Sequence, residues 1–137
     1  MLCGGKKRRS KCPVTFALDR FGDKWSLLVV RDLMFRGRET YGEFLESGEG
    51  IATNVLADRL KCLETEGLIE KSRDPENKRR VLYRLTEKGL DLAPVLLEMM
   101  RWSAKYDADT GTPQPFLDML ENDMEGLIKK VREGMQI

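Results

Sequence analysis

The stretch that decides the fold runs from Thr40 to Leu85: TYGEFLESGEGIATNVLADRLKCLETEGLIEKSRDPENKRRVLYRL. Thr40 and Glu43 have the spacing of a capping box, in which a hydroxyl and a carboxylate each satisfy an orphan backbone N–H. They predict a short helix with Tyr41, Phe44 and Leu45 turned inward. Ser47-Gly48-Glu49-Gly50 follows as a tight turn, and Thr53 is expected to cap a longer helix to about Glu66. Its inner face is Val55, Leu56, Leu60 and Leu63, and Gly67 ends it. Two helices joined by a short glycine turn form a helix-turn-helix pattern. Leu68–Arg73 and Arg80–Leu85 then read as strands about an Asp74-Pro75-Glu76-Asn77 turn, with Val81, Tyr83 and Leu85 on one face. A hairpin directly after the second helix, with Lys78, Arg79 and Arg80 at its tip, has the form of a DNA-binding wing; the competing reading is a surface hairpin charged for solubility.

Outward from this stretch, residues 1–11 are expected to be a flexible, basic tail. Pro13 suits the first position of a helix on which Val14, Ala17, Leu18 and Phe21 share a face up to Gly22. A helix from about Asp23 to Phe35 is apolar nearly all round and is expected at the buried centre. Thr86 caps a helix predicted to run to Tyr106, with Pro94 inside it as a bend. Pro115 starts a final helix, whose Leu117, Leu120, Met124, Leu127, Val131 and Met135 recur at steps of three and four. That spacing makes a coiled-coil-like seam. It suits packing against the chain's own core or against a second subunit, and the second is preferred. The expected fold is mainly α with a small β-wing: a winged helix-turn-helix over residues 12–106, with N- and C-terminal dimerisation helices, the latter in 107–137.

Composition narrows the function. A chain of 137 residues with 41% apolar and 34% charged side chains is a globular domain, with no apolar run near the ~20 residues that span a bilayer. The basic start lacks an apolar stretch behind it, so a cytoplasmic protein without a secretion signal is expected. There is no histidine, which removes the commonest general base and metal ligand. Cys3, Cys12 and Cys62 are odd in number and lack CxxC spacing, arguing against a zinc site or a disulfide framework. No convergent acid–base pair or phosphate loop is visible, so neither an enzyme, a metal nor a cofactor is expected. Charge is uneven: residues 1–12 hold five bases and no acid, 71–84 six bases against two acids, and 107–137 seven acids against three bases. Such islands suggest one side facing a polyanion.

Cys12-Pro13-Val14, the Gly22-x-Lys24-Trp25-x-Leu27-Leu28 run, Ile51-Ala52-Thr53-Asn54 leading into Leu56-Ala57-Asp58-Arg59-Leu60, the Leu85-Thr86-Glu87-Lys88-Gly89 exit and Trp102 together carry a resemblance. Over roughly residues 12–104 the chain resembles the HxlR family of winged helix-turn-helix transcriptional regulators. The resemblance implies a homodimeric repressor or activator of nearby genes, with dimer contacts from the N- and C-terminal helices. The wing departs from it: Asp74-Pro75-Glu76-Asn77-Lys78-Arg79-Arg80 looks more like wings of the related MarR group, and the acidic helix after residue 110 lies beyond what the family shares.

A major groove accepts one helix, whose N-terminal half reaches base edges. Opposite Leu56, Leu60 and Leu63 lie Thr53, Asn54, Ala57, Asp58 and Lys61. Asn54 suits an adenine, and Ala57 or the Thr53 methyl a thymine methyl. Arg59 and Lys61 are assigned to phosphates, as are the hydroxyls of Thr40 and Tyr41. Arg79, flanked by Lys78 and Arg80, is assigned to the minor groove or its phosphates. The expected partners are double-stranded DNA with inverted repeats and a second copy of the chain. The dimer contacts are Leu96, Met99, Met100, Leu117, Leu120, Met124, Leu127 and Val131. Two readings stand for Cys12: packing, or a redox sensor whose thiolate is favoured by a helix N-terminus and by Lys11 and Arg9. Some HxlR-type proteins sense oxidants or electrophiles at this position. A small-molecule effector lined by Trp102, Met99 and Met100 is a further reading, and Cys62 reads as core. The alternative to a regulator is a winged-helix module that binds protein and not DNA.

Overall fold

The chain is described by a computed structural model covering residues 8–134; Cys3, Lys6, Lys7 and Met135 lie outside the described residues. In order the elements are α1 (Pro13–Phe21), α2 (Ser26–Phe35), α3 (Tyr41–Leu45), α4 (Thr53–Thr65), β1 (Ile69–Arg73), β2 (Val81–Leu85), α5 (Glu87–Leu90), α6 (Ala93–Tyr106), α7 (Gln114–Asn122) and α8 (Met124–Arg132). The strands form one antiparallel hairpin in which Ile69 pairs with Leu85 and Arg73 with Val81. This is the mainly helical, winged helix-turn-helix architecture expected.

The capping box at α3 is complete. The Glu43 amide donates to Thr40 Oγ1 at 3.2 Å, and the Thr40 amide donates back to Glu43 Oε1 at 3.1 Å. Gly67 closes α4 at φ 75°, a left-handed conformation that favours glycine, and the Leu68 amide reaches back to the Leu63 carbonyl at 2.9 Å. Lys88 Nζ also donates to the Glu66 carbonyl at 2.6 Å, so the end of α4 is held by the segment that follows the wing.

Three local expectations are corrected. Thr53 is the first helical residue of α4 and not its cap; Ala52 holds the extended cap position without a side-chain bond. Pro94 bends no helix. The segment from Thr86 breaks into α5 and α6, and Pro94 sits in the first turn of α6, where its missing N–H costs nothing. The final helix is also two, because Asp123 breaks it at φ −148° and its carboxylate then accepts the Gly126 amide at 3.0 Å to start α8.

The centre is α2, whose Val29, Val30, Met34 and Phe35 are buried against Phe44, Leu56, Leu60, Leu63, Ile69 and Leu97. Asp32 is buried with them and compensated by Arg31, whose Nη2 lies 3.0 Å from its carboxylate. Leu120 of α7 and Leu127 and Val131 of α8 join the same core, so both C-terminal helices pack on their own chain.

Candidate nucleic-acid interface

Helix α4 divides by periodicity. Leu56, Leu60 and Leu63 are in the core, while Thr53, Asn54, Ala57, Asp58 and Lys61 all face solvent on the opposite side. The hydroxyl of Tyr41 donates to the Thr53 carbonyl at 2.8 Å, tying the start of α3 to the start of α4. Its proton is therefore committed within the fold. The Thr40 hydroxyl is likewise engaged, donating to Glu43 Oε1 at 2.9 Å while accepting the Glu43 amide. Both residues sit where the sequence placed them, but they brace the helix pair instead of offering free donors to phosphates.

Arg59 departs further from its expected role. Its side chain is 16% exposed, with Nη2 on the Asp58 carboxylate and Nη1 at 3.6 Å from Asp23 Oδ1. Asp23 in turn accepts the amides of Trp25 and Ser26, each at 2.9 Å. Burial pushes the Asp23 carboxyl up, but the Ser26 hydroxyl, the two amides and Arg59 outweigh it and hold it below its ordinary value. Arg59 thus faces inward toward the cap of α2.

The wing is an ordered turn. The Asp74 amide donates to the Arg80 carbonyl at 2.9 Å, the Arg80 amide to the Asn77 carbonyl at 2.8 Å, and Arg73 Nη1 to the Lys78 carbonyl at 2.9 Å. Lys78 and Arg79 are exposed and form no ion pair with the described residues. Arg80 is shared between Asp74 at 3.8 Å and Glu43 at 3.9 Å, so it fastens the wing to α3. Glu43 is held below its ordinary carboxyl value first by the Glu39 amide, then by the Thr40 hydroxyl. Two more ties complete the brace: the Tyr83 amide donates to the Glu39 carbonyl at 2.8 Å, and Lys71 Nζ lies 3.8 Å from Glu64 of α4. The Phe44 and Tyr83 rings pack at 6.0 Å beneath it.

Cys12 is exposed at the N-cap of α1. The amide of Thr15, then its hydroxyl, then the amide of Val14 lower the thiol from its ordinary value. Cys62 is buried on the inner side of α4.

The eight residues assigned to a dimer contact divide. Leu96, Leu120, Leu127 and Val131 are buried inside the chain, and Met100, Leu117 and Met124 are half-buried against the same core; Met99 is exposed. Sequence reasoning placed most of the interface on the α7–α8 seam and, of the apolar residues that solvent does reach, assigned only Met99 to it. On α6 these are Val95, Met99, Trp102 and Tyr106, spaced along one side of the helix; Val14, Phe16 and Leu18 of α1 are exposed as well. The signal was present as the four-three-four spacing of the α6 residues, hidden by the many other apolar positions around them.

A helix pair presenting a polar face, followed by a cationic hairpin braced to it, defines a winged helix-turn-helix protein that binds DNA to regulate transcription. The chain belongs to the HxlR-like helix-turn-helix family, which matches residues 20–110. It is 41% identical over 95 residues to the uncharacterized HTH-type transcriptional regulator sll1512 of Synechocystis sp., covering 69% of this chain and 70% of that one. Among solved structures, the reduced transcriptional regulator YodB from B. subtilis aligns with a TM-score of 0.59 at 31% identity, over 75% of this chain and 100% of YodB. The redox regulator HypR in its oxidized form aligns with a TM-score of 0.62 at 32% identity, over 69% of this chain and 96% of HypR. Among the described residues, no helix is long and apolar enough to cross a membrane.

Proposed function

We propose that the protein acts as a cytoplasmic homodimer on inverted-repeat operators, with α4 in the major groove of each half-site. Asn54, with Thr53 and Ala57, meets base edges, while Lys61, Lys78 and Arg79 meet phosphates or the adjacent minor groove. The dimer forms through the exposed apolar side of α6, with the exposed apolar residues of α1 contributing, and neither catalysis nor a cofactor is needed. One observation carries the reading: the polar face of α4 is open while its other face is locked in the core, and cations without an ion pair among the described residues stand at the tip of a wing braced to the same helix pair.

The exposed Cys12 thiol, lowered by the Thr15 amide, supports a redox or electrophile switch, and the similarity to the redox regulator HypR favours the same chemistry. Selection from a randomised duplex library followed by footprinting tests the whole. The reading requires an inverted repeat with half-sites one or two helical turns apart, ~34 Å per turn. No binding to mixed duplex DNA at low salt would favour a protein-binding winged helix instead.

A further inference from the structure

Asp58 is an unusual residue for a surface that meets DNA. It lies on the open face of α4 between Asn54 and Lys61, and its side chain is 55% exposed. A carboxylate there faces phosphates on both sides of a groove, and like charges repel. The fold supplies a cation beside it. The Arg59 guanidinium contacts the Asp58 carboxylate through Nη2 and is held from behind by Asp23 at 3.6 Å. Asp23 is itself fixed by the Trp25 and Ser26 amides. The arrangement anchors one side of the Asp58 carboxylate and leaves the rest open to solvent.

An ionised carboxylate only accepts hydrogen bonds. In the major groove guanine and thymine offer acceptors and a methyl group, and adenine sets its N6 amino donor beside an N7 acceptor that repels a carboxylate, whereas cytosine offers its N4 amino group as a donor, the usual partner of Asp or Glu. Resting on the reading of α4 as the groove-facing helix, we propose that Asp58 is a specificity-determining residue that selects a cytosine, with Arg59 and Asp23 as its positioning residues. Arg59 acts here by compensating and orienting a base reader and makes no phosphate contact of its own.

The test is duplex selection and competition binding with the full chain carrying Asp58→Ala, Arg59→Gln, or both. Wild type fixes one cytosine per half-site; Asp58→Ala loses about tenfold discrimination at that position and keeps the rest of the site. Arg59→Gln, which leaves the carboxylate uncompensated, weakens binding to every duplex. Adding Asp58→Ala to it restores affinity without restoring the cytosine, an outcome that a merely misfolded Arg59 variant cannot give. If Asp58→Ala selects the same bases with the same stringency, the proposal is overturned while the DNA-binding reading stands. If wild type selects no sequence at all, both fall.

Discussion

Helices α4 and α6 are each half-buried, and each leaves one face to water, but the two faces differ in kind. That of α4 is Thr53, Asn54, Ala57, Asp58 and Lys61; that of α6 is Val95, Met99, Trp102 and Tyr106. Burial of the opposite face explains why both helices form, and it says nothing about what the open face is for. Chemistry decides that. A small polar face on a helix pair that braces a cationic wing suits a hydrated polyanion, whereas an apolar stripe suits another apolar surface. The α7–α8 pair sharpens the contrast, because its seam looked equally ready for a partner and is covered by the chain itself.

The contrast can be broken most forcefully at the seam. Leu127 is 1% exposed, so Leu127→Ala is expected to lower unfolding free energy by about 2–5 kcal/mol in denaturant titration. A loss no larger than that of Met99→Ala would show that the C-terminal helices are not core. Next is the α6 face, where Trp102 is 67% exposed: Met99→Glu with Trp102→Glu should turn dimer into monomer in sedimentation while helical content is kept. An unchanged dimer would move the interface elsewhere.

On the polar side, Asn54→Ala should relax one base position by about 1–3 kcal/mol with little change in salt dependence. Arg79→Ala should instead weaken binding similarly on all sequences and reduce the salt slope by about 1. If affinity were intact at every salt concentration, the wing would not touch DNA. The smallest effect concerns Cys12. Its lowered thiol pKa places the thiolate, and so alkylation, at lower pH than for an unperturbed cysteine at ~8.5. A midpoint at or above that value removes the sensor reading.

The winged helix-turn-helix was legible because its signals are local: a capping box at Thr40, a glycine at 67, alternation at Val81, Tyr83 and Leu85. The inner and outer faces of α4 were legible for the same reason, since periodicity alone separates Leu56 and Leu60 from Asn54 and Asp58. The ion partners were not. Arg59 and Asp23 lie far apart in sequence and meet only after α4 docks on the start of α2, so a cation read as phosphate-facing turned inward. The breaks at Asp91–Leu92 and at Asp123 escaped because apolar spacing runs through both. Which apolar stripe stays open depends on how α6, α7 and α8 pack together, and spacing within one helix carries no trace of that.

The central claim is that the open face of α4 and the wing tip engage one duplex together. Amide hydrogen exchange of the full chain, with and without a selected duplex, measures this directly. The account predicts slowed exchange in both 53–61 and 77–80 in a single complex. Protection confined to one of these segments, or absent from both while the α6 face is protected, would contradict it.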